Sequence, residues 1–357
     1  MNINLITDES DNKLFLEEIN KSKVISVDTE FIREKTYYPV LSLIQLAVNN
    51  KVFIFDCLGN NKNLKELSNI FKNNKYIKIF HDAEQDIEII NDFFSLELKN
   101  FFDTQLANAF IDLEHHISYK NLVKKYLNID LDKELQTSNW IRRPLSKLQI
   151  NYAANDVLYL EKIYYKISQL LILDKKENWY KEELEKIVKD NKFKKEPKNA
   201  WEKIKLSDFS GINQKLFILL SKYREEICRK RNIPKTWYLS DKNIIRLSSK
   251  KYTNINELKK ENLSSNRFFN SNDYLDIFDK FDFSKNVFEK VKSKRTNVKK
   301  YQKILQDLSI ELNISQQLVA TKKDLEKYFG SNKIKINGWR KKIFEVIKAK
   351  TNEESLS

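Results

Sequence analysis

Residues 24–31, VISVDTEF, constrain this chain more than any other stretch. Val24, Ile25 and Val27 are β-branched and apolar, which suits a buried strand. The strand ends on two acids, Asp28 and Glu30. Side chains alternate between faces along a strand, so residues two apart project together. Two carboxylates fixed on one rigid edge repel each other unless a proton or a cation sits between them. The pair therefore reads as half of a divalent-metal site. The alternative, for so short a motif, is a strand that merely ends in solvated acids. Other acids converging on the pair would decide between the two.

Composition narrows the class. At 357 residues, 41% hydrophobic and 32% charged, the chain has length for two or three domains and is not disordered. Two cysteines, Cys57 and Cys228, are too few for a disulfide framework or a cysteine zinc site. With only His81, His115 and His116 available, a histidine-rich metal site is excluded as well. The N-terminus lacks the long apolar core of a signal peptide, and no apolar run reaches the ~20 residues of a membrane helix. A cytoplasmic protein with no membrane partner is expected. The net charge of +15 is unevenly placed. Residues 201–357 hold 35 Lys and Arg against 19 Asp and Glu, whereas residues 1–200 hold 30 and 31. A basic half beside a neutral half suits an electrostatic grip on a polyanion, most simply nucleic acid.

Along the chain, a short strand and an amphipathic helix precede the D-x-E strand. LSLIQLAV and KVFIFD alternate around Asn49 and Asn50, the pattern of a β-hairpin. A helix over 62–73, a strand ending at Phe80, a helix from His81 onward, the short strand KNFFD and a helix TQLANAFID follow. This order predicts an α/β domain with a mixed sheet and helices on both faces. LSKLQINYAANDVLYLEKIYYKISQLLI reads as one long helix, opened by a capping box at Ser146 and Gln149. Residues 176–200 read as a linker, with Pro197 inside it, and 201–282 and 290–350 as two small all-α modules.

Two further acids bear on Asp28 and Glu30. Asp86 falls in the first turn of the helix after the fourth strand. Asp156 follows Tyr152 by four residues, so phenol and carboxylate share a helical face. Asp103, in FDTQ, reads most simply as a helix cap. Four carboxylates and a hydroxyl are what two hard divalent cations and an attacking water require.

VDTEFIREKTYYPVLSLIQLA, FHDAEQDIEI, FDTQLANAF and NYAANDVLYL resemble the exonuclease motifs of the DEDD superfamily, in its Tyr-containing branch. Within that branch the chain most resembles the bacterial ribonuclease D family, over a domain spanning residues 1–175. The resemblance implies an RNase H-like exonuclease domain and metal-dependent 3′→5′ release of nucleoside 5′-monophosphates, with two Mg²⁺ or Mn²⁺ ions. It implies Asp28, Glu30, Asp86 and Asp156 as metal ligands and Tyr152 as the residue that orients the attacking water. Thr29 and Phe31 flank the acid pair and are candidates to touch the terminal nucleotide. His81 matches a family position and reads as a substrate-positioning residue. Arg33, Arg142 and Arg143 are candidate phosphate contacts.

Residues 201–282 resemble the helicase-and-RNase-D C-terminal domain, through LLSKYREEICRKRNIPKTWYLSDKNIIRLSS. Arg229, Lys230, Arg231 and Lys235 interleave there with Trp237 and Tyr238, which suits phosphate contact. The last segment resembles the second helical module of that family more weakly, and an adaptor that only packs on the first is as good a reading. The expected partner is RNA with a free 3′ end, tRNA precursors among them, bound by a monomer with no obligate protein partner. Two other readings stay open: a non-catalytic RNA-binding protein on a relic nuclease fold, and a DNA-directed 3′→5′ exonuclease.

Overall fold

The computed structural model describes residues 2–8, 11–59, 64–131, 138–189, 196–205, 212–249, 255–260, 268, 277, 298–330 and 335–356. Six strands form one sheet: β1 (Asn2–Ile6), β2 (Val24–Ile32), β3 (Val40–Val48), β4 (Lys51–Asp56), β5 (Ile77–Phe80) and β6 (Phe101–Asp103). Their spatial order is β1-β4-β3-β2-β5-β6. β3 and β4 pair antiparallel, while β1/β4, β2/β5 and β5/β6 pair parallel, so the sheet is mixed as expected. The β3–β4 turn places Asn49 and Asn50 at φ 51° and 63°. Asparagine tolerates this left-handed backbone, and two such residues in succession are what a tight hairpin turn needs.

Alternation along β2 sorts its residues between two cores. Ile25 and Val27 face a cluster with Phe15 and Ile19 of α1 (Asn12–Lys21), Leu67 and Phe71 of α2 (Lys65–Lys72) and Ile87 and Ile90 of α3 (Glu84–Phe94). Val24 faces the other side, toward α4 (Thr104–Ala109), α5 (Tyr119–Leu127) and the helix of residues 160–173. Asp28 and Glu30 share the Val24 parity, and the sheet is covered by helices on both faces.

Two expectations over 147–200 are corrected. The single long helix is two, α6 (Lys147–Leu158) and α7 (Leu160–Leu173), which part at Tyr159. The capping box at Ser146 and Gln149 is present at the start of α6. The first part of the expected linker is a helix, α8 (Glu177–Lys189). Buried Tyr180 supplies its packing, since its ring lies 4.9 Å from Phe102 and its hydroxyl accepts the Asp103 N–H at 2.9 Å. Residues 190–195 lie outside the described residues, and Pro197–Lys203 form a 3₁₀ helix.

The chain divides into two compact units. The first comprises Met1–Ile32, Leu41–Phe193 and Arg295–Ser357, so the last helical segment packs with the sheet domain. That segment holds α13 (Lys299–Glu311), α14 (Gln316–Val319), α15 (Lys322–Phe329) and α16 (Trp339–Leu356). Trp339 stacks on Trp179 of α8 at 5.4 Å and meets Phe110 at 5.2 Å. Its indole N–H donates to Glu183 at 3.3 Å, and Arg340 pairs with the same carboxylate. The Ser315 N–H donates to the Ala109 carbonyl at 2.8 Å. Buried Lys176 donates to the carbonyls of Leu312 and Asn313 at 2.6 and 3.1 Å, closing the C-terminal end of α13. A charged donor there satisfies carbonyls that have no helical partner. Lys176→Met should therefore cost about 2–3 kcal/mol, a drop of several degrees in Tm. An unchanged melt would show that the contact does not hold this segment.

The second unit comprises Arg33–Val40 and Lys194–Lys294. Its core is built on α9 (Gln214–Arg231), α10 (Lys235–Tyr238) and α11 (Asp241–Ser248), with Leu216, Leu220, Cys228, Tyr238 and Ile244 buried together. α12 (Ile255–Lys260) follows. Most of the expected module beyond residue 260, and the boundary near 283–297, lie outside the described residues.

Candidate active site

The two acids of β2 and the helix α6 meet at one cavity of about 220 Å³. Asp28, Glu30, Tyr152, Asp156 and His81 line it, with Ser118, Tyr119, Lys120, Leu131 and Leu160. Asp28, Glu30 and Asp156 each offer a carboxylate oxygen within 4.8 Å of the others. They are thus gathered from a strand and a helix more than a hundred residues apart. Asp86 is buried in the first turn of α3 and accepts a hydrogen bond from the Thr29 hydroxyl, a residue of β2 itself. Tyr152 stands one helical turn before Asp156 on α6, and the two line the same cavity.

Electrostatics show what the cluster lacks. Enclosure by protein and the neighbouring carboxylates push all four acids up. Asp28 is raised well above the ordinary range by burial and by Asp156, and Asp86 by burial and by Asp28. Burial, then Asp28 and its neighbours, raise Glu30 to about 10. Burial raises Asp156 to about 7, against the Tyr152 hydroxyl, which lowers it. Among the described residues no lysine or arginine forms an ion pair with any of the four. Two unit charges ~4 Å apart repel by about 4 kcal/mol at an effective dielectric near 20. Asp28, Glu30 and Asp156 cannot all be ionised in this space without a counter-charge, and Asp86, which does not line the cavity, adds its charge from beside it. The donors are all hard oxygens, which fit Mg²⁺, Mn²⁺ or Ca²⁺ and do not select zinc.

Other expected residues fall in different places. Thr29 and Phe31 alternate with the acids, so their side chains face away from the cavity. Thr29 is spent on Asp86, and Phe31 packs against the α1–α3 core. His81 does line the cavity, but both ring nitrogens are engaged, at 3.0 Å with Thr104 Oγ1 and 2.9 Å with the Ile117 carbonyl. Burial lowers it to about 4, so it is a neutral wall residue at pH 7. Asp103 caps α4 by accepting from the Gln105 and Leu106 N–H groups, and it also accepts from Ala83 at 3.0 Å. It thereby holds the turn that launches α3 and Asp86. Arg143 donates to Asp56 and to the Trp140 carbonyl, which commits it to the fold. Arg33 is exposed and is not among the residues lining the cavity.

In the second unit, the four basic candidates separate into pairs. Glu225 binds Lys235 at 2.7 Å and accepts from the Tyr37 hydroxyl, which in turn accepts from Arg229 at 3.0 Å. Arg229 and Lys235 are therefore used inside this unit; Lys230 and Arg231 are exposed, although Arg231 also donates to the Phe268 carbonyl at 3.4 Å and lies over the Tyr238 ring. Trp237 stacks on Phe268 at 5.9 Å. Sequence reasoning missed Ser118, Tyr119 and Lys120. They enter the cavity because Ser118 caps α5, and a lone Ser-Tyr before a helix carries no signal of that placement.

A sheet of this order, with the D-x-E pair on β2 and a Tyr–Asp helix beside it, has the RNase H-like fold of a 3′–5′ exonuclease domain. Residues 3–172 match a family model described as 3′-5′ exonuclease. Within that class, the chain is similar to proteins named ribonuclease D. It is 33% identical to ribonuclease D of Jannaschia sp. (strain CCS1) over 67% of this chain and 63% of that protein. Against ribonuclease D of Bartonella henselae it is 28% identical over 95% of this chain and 87% of that one. It thus spans less than two thirds of the Jannaschia relative. The fold matches the crystal structure of Escherichia coli RNase D with a TM-score of 0.79 at 23% identity, covering 99% of both chains. It also matches the catalytic core of Trypanosoma brucei RRP6, with a TM-score of 0.54 at 21% identity over 72% of this chain and 73% of that one. The class implies dependence on a divalent metal. No helix among the described residues is long and apolar enough to cross a membrane.

Proposed function

We propose that the chain is a metal-dependent 3′→5′ exoribonuclease that releases nucleoside 5′-monophosphates and trims structured RNA, tRNA precursors among them. The observation that carries this is the approach of Asp28, Glu30 and Asp156 within 4.8 Å, with Asp86 tied to the same strand. These four would hold two Mg²⁺ or Mn²⁺ ions. Bound there, such ions neutralise charge on the attacking and leaving oxygens of an in-line displacement.

The chain's own groups do the positioning. The Tyr152 phenol is raised by burial and then by Asp156, so it stays protonated at neutral pH. It is placed to orient a water rather than to deprotonate it. In the reaction the water oxygen forms a bond to phosphorus and the bond from phosphorus to the 3′ oxygen breaks. The attacking water gives up a proton to solvent and the leaving 3′ oxygen takes one from it. Neutral His81 and the wall of Leu131 and Leu160 limit water access around the terminal nucleotide. Exposed Lys230 and Arg231 supply phosphate contacts in a cytoplasmic monomer.

The test is a 5′-labelled RNA with Mn²⁺ or Mg²⁺, against the same RNA with a 3′-phosphate and a DNA of equal sequence. Stepwise shortening of the free RNA end, abolished by chelator, is expected. Binding without shortening would favour the relic-fold reading, and equal or faster shortening of DNA would favour the DNA-directed one. Filled positions at all four acids and the tyrosine argue against a relic.

A further inference from the structure

The break between α6 and α7 falls three residues after Asp156, at Tyr159. In an uninterrupted helix the Tyr159 N–H would donate to the Asn155 carbonyl. Here that carbonyl accepts from the Tyr119 hydroxyl at 3.0 Å. The Tyr159 N–H reaches the same hydroxyl at 3.4 Å and the Val157 carbonyl. The phenol of α5 is thus inserted into the backbone ladder of the helix that carries Tyr152 and Asp156. Side chains inserted this way are an established cause of helix kinks. The ring of Tyr119 lines the acid cavity and lies 5.7 Å from that of His81. Its environment is electrostatically linked to the cluster: burial first, then the charges of Asp156 and Asp28, push the phenol up, so it remains a donor.

We infer that Tyr119 is a positioning residue whose hydroxyl, wedged between Asn155 and Tyr159, sets the angle at which α6 presents Asp156 to the acid cluster. This rests on the exonuclease reading above. The local sequence favours one straight helix through 147–173, and the wedge is what holds it open. Without the hydroxyl, the Asn155 carbonyl and the Tyr159 N–H are free to close their ordinary bond. Asp156, next to Asn155, then turns relative to β2, where Asp28 and Glu30 are fixed. The phenyl ring of a Tyr119→Phe variant keeps the packing against His81 and the cavity wall.

The test compares wild type with Tyr119→Phe in the full-length protein, at a temperature where circular dichroism shows both folded. Two readouts are used: Mn²⁺ binding in the absence of RNA, from the paramagnetic resonance of free ion, and kcat and KM on a single-stranded RNA. The variant is expected to bind Mn²⁺ 10–100-fold more weakly and to lose kcat in similar proportion at fixed metal, with KM within about twofold. Unchanged Mn²⁺ affinity and kcat would overturn the inference. So would losses that merely track a reduced folded fraction, and so would a rise in KM alone, which would make Tyr119 a substrate contact. If the wild type binds Mn²⁺ but does not shorten RNA, the exonuclease reading fails while the metal-binding comparison still judges the wedge.

Discussion

Asp28→Asn is expected to lower RNA hydrolysis by roughly three orders of magnitude or more, with RNA binding within a few-fold of wild type. The size follows from the place of this carboxylate. It shares β2 with Glu30 and is raised by burial and then by Asp156, so it stands between the strand and helix contributions. Loss of several kcal/mol of charge stabilisation in the transition state translates to about tenfold per 1.36 kcal/mol. An amide keeps the volume and one oxygen but not the charge. Folding should not suffer: in chelator the asparagine protein should melt at or above the wild-type temperature, because it removes one member of a like-charged group. Single-turnover decay of labelled RNA and paired melts would check both halves. A variant that retains even a tenth of wild-type activity would remove Asp28 from the site.

The second large effect concerns stability, metal and pH together. Asp28, Glu30, Asp86 and Asp156 all have folded-state pKa values above those of ordinary carboxyls. Each therefore holds its proton more tightly in the folded protein than in the unfolded chain. Their contribution to stability is complete below the ordinary carboxylate range, roughly pH 4, and is lost as pH rises through the folded values. The loss runs through about 7 for Asp156 and about 10 for Glu30. Chelated protein should accordingly lose stability between roughly pH 5 and pH 8. Mn²⁺ should restore it, and more at the upper end, where protons no longer compete for the carboxylates. At a hundred times Kd one ion adds about 2.7 kcal/mol. Melting curves over pH with chelator and with Mn²⁺ would show the two lines diverging. Parallel lines, or a chelated protein that gains stability toward pH 8, would mean that the acids are not the coupled group described here.

The unexpected place of the last helical segment changes how truncations are to be read. Lys176, Glu183 and Trp179 bind residues 312–340 directly, so removing everything after residue 200 strips a packed face from the exonuclease domain. A test of the basic unit alone exchanges exposed Lys230 and leaves Arg229 and Lys235 to hold Glu225, and Arg231 its contacts with Phe268 and Tyr238.

Short-range spacing carried much of what could be read in advance. The D-x-E alternation of β2, the Asn49–Asn50 hairpin, the Ser146–Gln149 capping box and the Tyr152–Asp156 helical pair are each set by contacts within a few residues. The backbone honours all of them. Their periodicity alone assigned the acids to common faces, and the resemblance of the motifs supplied the chemistry. What only the tertiary structure decided involves partners tens to hundreds of residues apart. Thr29 turns to Asp86 across 57 positions, Arg229 turns to Tyr37 across 192, and the Tyr119 hydroxyl opens a helix whose own sequence favours continuity. No local pattern encodes such pairings, because burial and hydrogen-bond satisfaction are settled by whichever groups the folded core brings within about 3 Å of one another.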